Sequence, residues 1–191
     1  MTTKTTTVIV GGVAGGMSTA ARLRRRDETM DIIVLEASGH VSFANCGLPY
    51  HVSGVIPERR SLLLQTPESL AARFNLDVRV NTRATAIDRE QQTVTTDTGD
   101  TIAYDHLVLS PGATPIIPPI PGIERALHLR TIEDVDAIIA ALTDDVASVA
   151  IIGGGFIGLE VAENMRHRGL DVTVIERAPQ ILTPLDEEMA A

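Results

Sequence analysis

Apolar and polar positions along the chain repeat one pattern twice: a β-branched run, a glycine turn, a helix-length stretch rich in alanine or leucine, and a second run closing on glutamate. In the first copy, Thr7 to Val10 leads to Gly11-Gly12-Val13-Ala14-Gly15-Gly16, a helix to about Arg26, and a strand Asp31 to Leu35 that ends at Glu36. In the second, Ser148 to Ile152 leads to Gly153-Gly154-Gly155-Phe156-Ile157-Gly158, a helix stopped by Gly169, and a strand Asp171 to Ile175 that ends at Glu176. Between the copies, Ala84 to Asp88, Gln92 to Asp97 and Thr101 to Tyr104 alternate as three short strands, an antiparallel meander inserted into the first unit.

The strand His106 to Leu109 then runs into Ser110-Pro111-Gly112-Ala113 and an extended, proline-rich stretch, Ile116 to Pro121. A domain boundary is expected there, giving 1–115 and 116–191. The fold class expected is α/β, with two Rossmann-like dinucleotide-binding units and the second incomplete. A helix start is read at Thr183-Pro184-Leu185-Asp186-Glu187-Glu188, three residues before the last one given. A second βαβ unit without later strands leaves sheet faces uncovered, so the chain reads as part of a larger functional unit.

Composition narrows the partners. At 191 residues and 44% apolar the chain can bury a core, and its formal charge of −9 disfavours nucleic acid and anionic membranes, which reward basic faces. The first residues are polar and Val8 to Val10 is too short for a signal core or a membrane span, so a cytoplasmic location is expected. Five histidines show no paired ligand spacing, and no metal is expected.

The second glycine turn matches G-x-G-x-x-G between a strand and a helix. Gly153 serves the turn, Gly155 leaves room for a pyrophosphate, Gly158 permits close packing, and Glu176 accepts from an adenosine ribose. A carboxylate there favours NADH over NADPH, with Arg177 adjacent. The first turn has Val13 in place of the second glycine, where it would crowd a backbone approach to phosphate, yet Glu36 suits a second ribose. Both turns also have a plain structural reading. Taken together they point to FAD plus NAD(H).

The single cysteine, Cys46, excludes an internal disulfide. A lone cysteine is most often a small buried hydrophobe. Polar Ser42 and Asn45, and the helix-start character of Gly47-Leu48-Pro49, favour a thiolate. The basic run Arg22, Arg24, Arg25, Arg26 reads as a solvated helix end or as a site for a phosphate-rich substrate.

With these residues in place, the chain resembles the single-cysteine pyridine nucleotide-disulfide oxidoreductases, of the coenzyme A-disulfide reductase and NADH-dependent persulfide or polysulfide reductase type. Ser42 to Gly54, S-F-A-N-C-G-L-P-Y-H-V-S-G, is the most specific match; Leu64 to Glu68, Tyr104-Asp105, Leu109 to Ala113 and Gly153 to Glu160 are also similar. The resemblance implies a flavin beside Cys46, hydride from NADH, and a Cys46-substrate mixed disulfide or persulfide. By the same likeness Ser110, Gly112 and Ala113 belong to the first cofactor site, and Phe156, Ile157 and Glu160 to the second. Phe156 matches an aromatic that covers the flavin, while Ser18, Arg22, Arg25, Ser42 and Asn45 match coenzyme A contacts. The family also implies a homodimer, a later segment closing the FAD site, and in some relatives a rhodanese domain. An NADH oxidase or peroxidase using a Cys46 sulfenic acid is the alternative activity, and a noncatalytic nucleotide-binding fragment is the alternative of another class.

Overall fold

The computed structural model describes residues 4–190, so the polar start read from Met1 lies partly outside them, as does Ala191. In chain order the strands are β1 Thr6–Val10, β2 Asp31–Leu35, β3 Asp77–Arg79, β4 Ala84–Asp88, β5 Thr93–Thr96, β6 Thr101–Ala103, β7 His106–Leu109, β8 Ser148–Ile152 and β9 Asp171–Ile175. The helices are α1 Ala14–Arg26, α2 Leu48–Ser53, α3 Pro67–Phe74, α4 Ile132–Ala141, α5 Phe156–His167 and α6 Glu187–Ala190. Both βαβ repeats and the meander therefore fall where the apolar pattern placed them. The chain is α/β.

Contacts divide the chain into two compact units, Met1–Ala44 with Leu63–Thr114, and Asn45–Leu62 with Pro115–Ala191. This differs from a single break near residue 115, because residues 45–62 pack with the second unit.

In the first unit four parallel strands lie in the order β3-β2-β1-β7. Side-chain alternation sends successive residues of β1 and β2 to opposite faces. Ile9, Ile32 and Val34 meet Met17 and Ala20 of α1 and Leu70 of α3 on one face. Val8 and Leu35 meet Val94 of the meander on the other. A parallel sheet covered on both faces needs apolar residues at nearly every position, which is why β1 and β2 read as continuous apolar runs. The meander β4-β5-β6 is antiparallel, with a register shift between Ala84 and Ala86.

The second unit holds β8 and β9 in parallel register, joined by α5. Residues 45–62 enter it through buried Leu48, Val52 and Leu62, while Ile132, Val135 and Ile138 of α4 and Met165 of α5 are buried as well. Arg168 donates to the Val52 carbonyl at 2.8 Å. Arg59 grips the Asp136 carboxylate through Nε at 2.8 Å and Nη2 at 2.7 Å, a forked pair that holds the guanidinium above its ordinary pKa.

The last helix begins at Glu187, not at Thr183 as the Thr-Pro pattern indicated. Leu182 takes a φ of 48°, and the Asp186 carbonyl accepts the Met189 and Ala190 amides. Three elements went unread in the sequence: β3, only three residues long with charged ends, α3 and α4.

Candidate functional site

The two glycine turns share one geometry. Gly11 and Gly153 have φ of 104° and 110°, the left-handed region that favours glycine. A Cβ on Gly16 would stand 1.8 Å from the Gly11 carbonyl oxygen, and one on Gly158 would stand 2.0 Å from that of Gly153. Each helix can thus start hard against its turn only because that residue is glycine. The first amides of a helix have no acceptor within it, which is what dinucleotide phosphates require.

The middle positions differ. Gly155 has an extended backbone, φ −79° and ψ −178°, and a Cβ there would meet nothing within 4 Å. Neither backbone nor packing asks for glycine, so the open space is what its lack of a side chain supplies. In the first turn Val13 fills that position, with φ −107° and ψ −129° and no side-chain cap. Ser110, at the end of β7, lies against this turn: Cβ atoms on Gly11 and Gly15 would stand 1.9 Å from its carbonyl oxygen and 2.5 Å from its hydroxyl. Gly112 and Ala113 follow it on the exposed surface, and Ala14 is exposed at the start of α1.

Each strand-end glutamate is fastened to its turn. Glu36, buried, accepts the Gly12 amide on Oε2 at 2.7 Å and both the amide and the hydroxyl of Ser38 on Oε1 at 2.8 Å. Glu176 accepts the Gly154 amide on Oε2 and the Ala178 amide on Oε1, each at 2.7 Å. The Ala178 amide first, and then that of Gly154, hold the Glu176 carboxyl below its ordinary pKa. A carboxylate offers about four acceptor positions. Glu176 is thus held by backbone amides alone, whereas Glu36 also accepts a hydroxyl and has less acceptor capacity left.

Cys46 is exposed, which removes the buried-hydrophobe reading. It sits in a 3-10 turn, Asn45–Gly47, that leads directly into α2, with Pro49 in the helix's first turn as the sequence indicated. In the same unit Phe156 and Ile157 are exposed at the start of α5, and Glu160 is half-buried one turn on.

Within the first unit a cavity of about 490 Å³ opens along α1 and α3. Ala14, Met17, Ser18, Ala21 and Arg25 share one face of α1, and Leu70, Arg73 and Phe74 one face of α3; Val13, Ser42, Phe43, Leu64 and Gln65 complete the lining. The predicted Ser18, Arg25 and Ser42 thus meet. Arg22 is exposed but is not among the lining residues, and Asn45 belongs to the other unit. Arg73 was not foreseen. Its guanidinium lies 5.1 Å over the Phe74 ring, so the groove carries two cations and no acid. Ser42 has a φ of 48°, rare for a residue with a side chain, and is held by the pairs Ser42 N–H to Gly12 O and Leu64 N–H to Ser42 O.

Among the described residues no helix is long and apolar enough to cross a membrane, and no group of three or more His, Cys, Asp or Glu could hold a metal ion.

Residues 5–191 match the family described as pyridine nucleotide-disulphide oxidoreductase. The coenzyme A disulfide reductase of Staphylococcus epidermidis is 39% identical over 188 residues, covering 95% of this chain and 43% of that protein. An NADH oxidase of Methanocaldococcus jannaschii is 35% identical over 191 residues, covering 96% and 43%. The crystal structure of reduced Bacillus anthracis CoADR-RHD superposes with a TM-score of 0.93 at 50% identity, covering 98% of this chain and 35% of that one. A NAD-dependent persulfide reductase from A. fulgidus superposes with a TM-score of 0.92 at 38% identity, covering 97% and 36%. The chain spans under half the length of these relatives.

Proposed function

This chain belongs to the pyridine nucleotide-disulphide oxidoreductase family, and from that membership we propose that it serves an FAD- and NADH-dependent reductase of small disulfides, persulfides or polysulfides acting through Cys46. The observation that carries the reading is the chain's one cysteine, exposed at a helix start. The two glycine turns with their anchored glutamates fit two dinucleotides, FAD at Gly11–Gly16 with Glu36 and NADH at Gly153–Gly158 with Glu176. Coenzyme A disulfide is the substrate the groove favours, since Arg25 and Arg73 suit its phosphates and Ser18 and Ser42 add hydroxyls.

In the reaction, the Cys46 thiolate attacks one substrate sulfur, the S–S bond breaks, one thiolate leaves, and a Cys46-substrate mixed disulfide forms. Two electrons and a proton then release the second thiol and restore Cys46. A bound flavin supplies the passage of that electron pair from NADH. A single protein cysteine suffices because the substrate contributes the other sulfur. Such a thiol belongs where thiols stay reduced, in the cytoplasm. The family resemblance implies a homodimer for the whole protein.

NADH consumption with coenzyme A disulfide, measured for wild type and Cys46→Ser, tests this reading: the variant should lose turnover, and retained turnover would refute it. A second activity is favoured by the similarity to an NADH oxidase. In it the Cys46 thiolate attacks peroxide, the O–O bond breaks, hydroxide leaves and a sulfenic acid forms. Turnover compared with oxygen, peroxide and coenzyme A disulfide separates the two.

A further inference from the structure

We propose that Arg24, which does not line the groove, is the positioning residue that makes Arg25 and Arg73 act together on one polyanionic ligand. The inference rests on reading the groove as the site for the phosphorylated part of the substrate. Arg24 lies in the last turn of α1 with two other arginines, Arg25 and Arg26, where a solvated side chain is the rule. It is instead 8% exposed.

Its guanidinium donates through Nε to the Phe74 carbonyl at 2.8 Å and through Nη2 to the Asn75 carbonyl at 2.9 Å. Through Nη1 it donates to the carbonyls of Glu28 at 2.8 Å and Asp27 at 3.2 Å. All four acceptors are backbone. Phe74 and Asn75 end α3, and Asp27 and Glu28 follow α1, so one planar fork joins the negative ends of two helices.

Arg25 directly follows the clamp, and Arg73 directly precedes its first acceptor. The Phe74 residue that offers its carbonyl to Arg24 also offers its ring to Arg73. Leu23 and Phe74 both pack on the core cluster containing Leu70, but apolar packing is non-directional and tolerates sliding. Directional bonds from a buried cation do not. Burying a charge this way is costly, and what it secures here is the placement of the residues on either side.

The test is calorimetric titration of the chain with adenosine 3′,5′-bisphosphate and with adenosine monophosphate. Two placed cations should favour the bisphosphate by about tenfold, and Arg25→Ala or Arg73→Ala should each remove that preference. Arg24→Lys keeps the charge but cannot span both helix ends. It should bring the ratio near one while the monophosphate affinity changes by less than about twofold. An unchanged ratio in Arg24→Lys would overturn the proposal, as would equal loss for both ligands, which marks a merely structural role, or a wild type with no preference. Should Arg24→Lys not fold, the cycle of Arg25→Ala, Arg73→Ala and the double variant decides: strong coupling supports the proposal, and additivity overturns it. These ratios need no flavin, NADH or thiol chemistry, so a failed reductase reading shows in turnover and leaves them untouched.

Discussion

Glu176 and Gly158 concentrate the chemistry of the second turn in two side chains, or in one side chain and the absence of another. Glu176 is fixed at its turn by the amides of Gly154 and Ala178, so Glu176→Ala should weaken NADH binding about tenfold or more and narrow the preference over NADPH, measured by titration of both. Its pKa is lowered in the folded state, so the stability it contributes is full above its ordinary value and is lost as pH falls through the lower folded value. NADH affinity should accordingly stay level from pH 7 to roughly pH 5; a decline centred near pH 6 would show that another group governs binding. Gly158→Ala places a methyl 2.0 Å from the Gly153 carbonyl oxygen. The helix start must move, at a cost of ~1–3 kcal/mol, and NADH titration should show binding lost while flavin binding at the first turn persists.

At the scale of elements, α3 and α4 are both closed by capping boxes, Thr66 with Ser69 and Thr131 with Asp134. Thr131→Ala removes an acceptor for the Asp134 amide and should cost ~1 kcal/mol, read as a fall in thermal midpoint of about 2–4 °C. The other strands and the repeat helices α1 and α5 were legible because strict alternation, β-branched runs and glycine turns act over a few residues. The short β3 was not, since Asp77-Val78-Arg79 has one apolar residue and takes its place by pairing with Ile33, Val34 and Leu35 of β2. Arg73 escaped notice for a related reason: helical spacing places it beside Leu70 and Phe74, but only packing shows that this face meets α1.

Across the whole molecule, the same limit explains why residues 45–62 were assigned to the first unit. Their order along the chain follows β2, while their anchors, Asp136 and Arg168, lie far downstream. Exposure of Cys46 was likewise a matter of packing, although its polar neighbours and the helix start behind it were visible in the sequence. The proposed reduction rests on one covalent event at that residue. Intact-mass analysis after anaerobic incubation with coenzyme A disulfide, without NADH, tests it most directly. One coenzyme A half should be found on the protein, mapped to Cys46, released by thiol reductant and absent in Cys46→Ser; a protein of unchanged mass whose thiol is free would contradict the account.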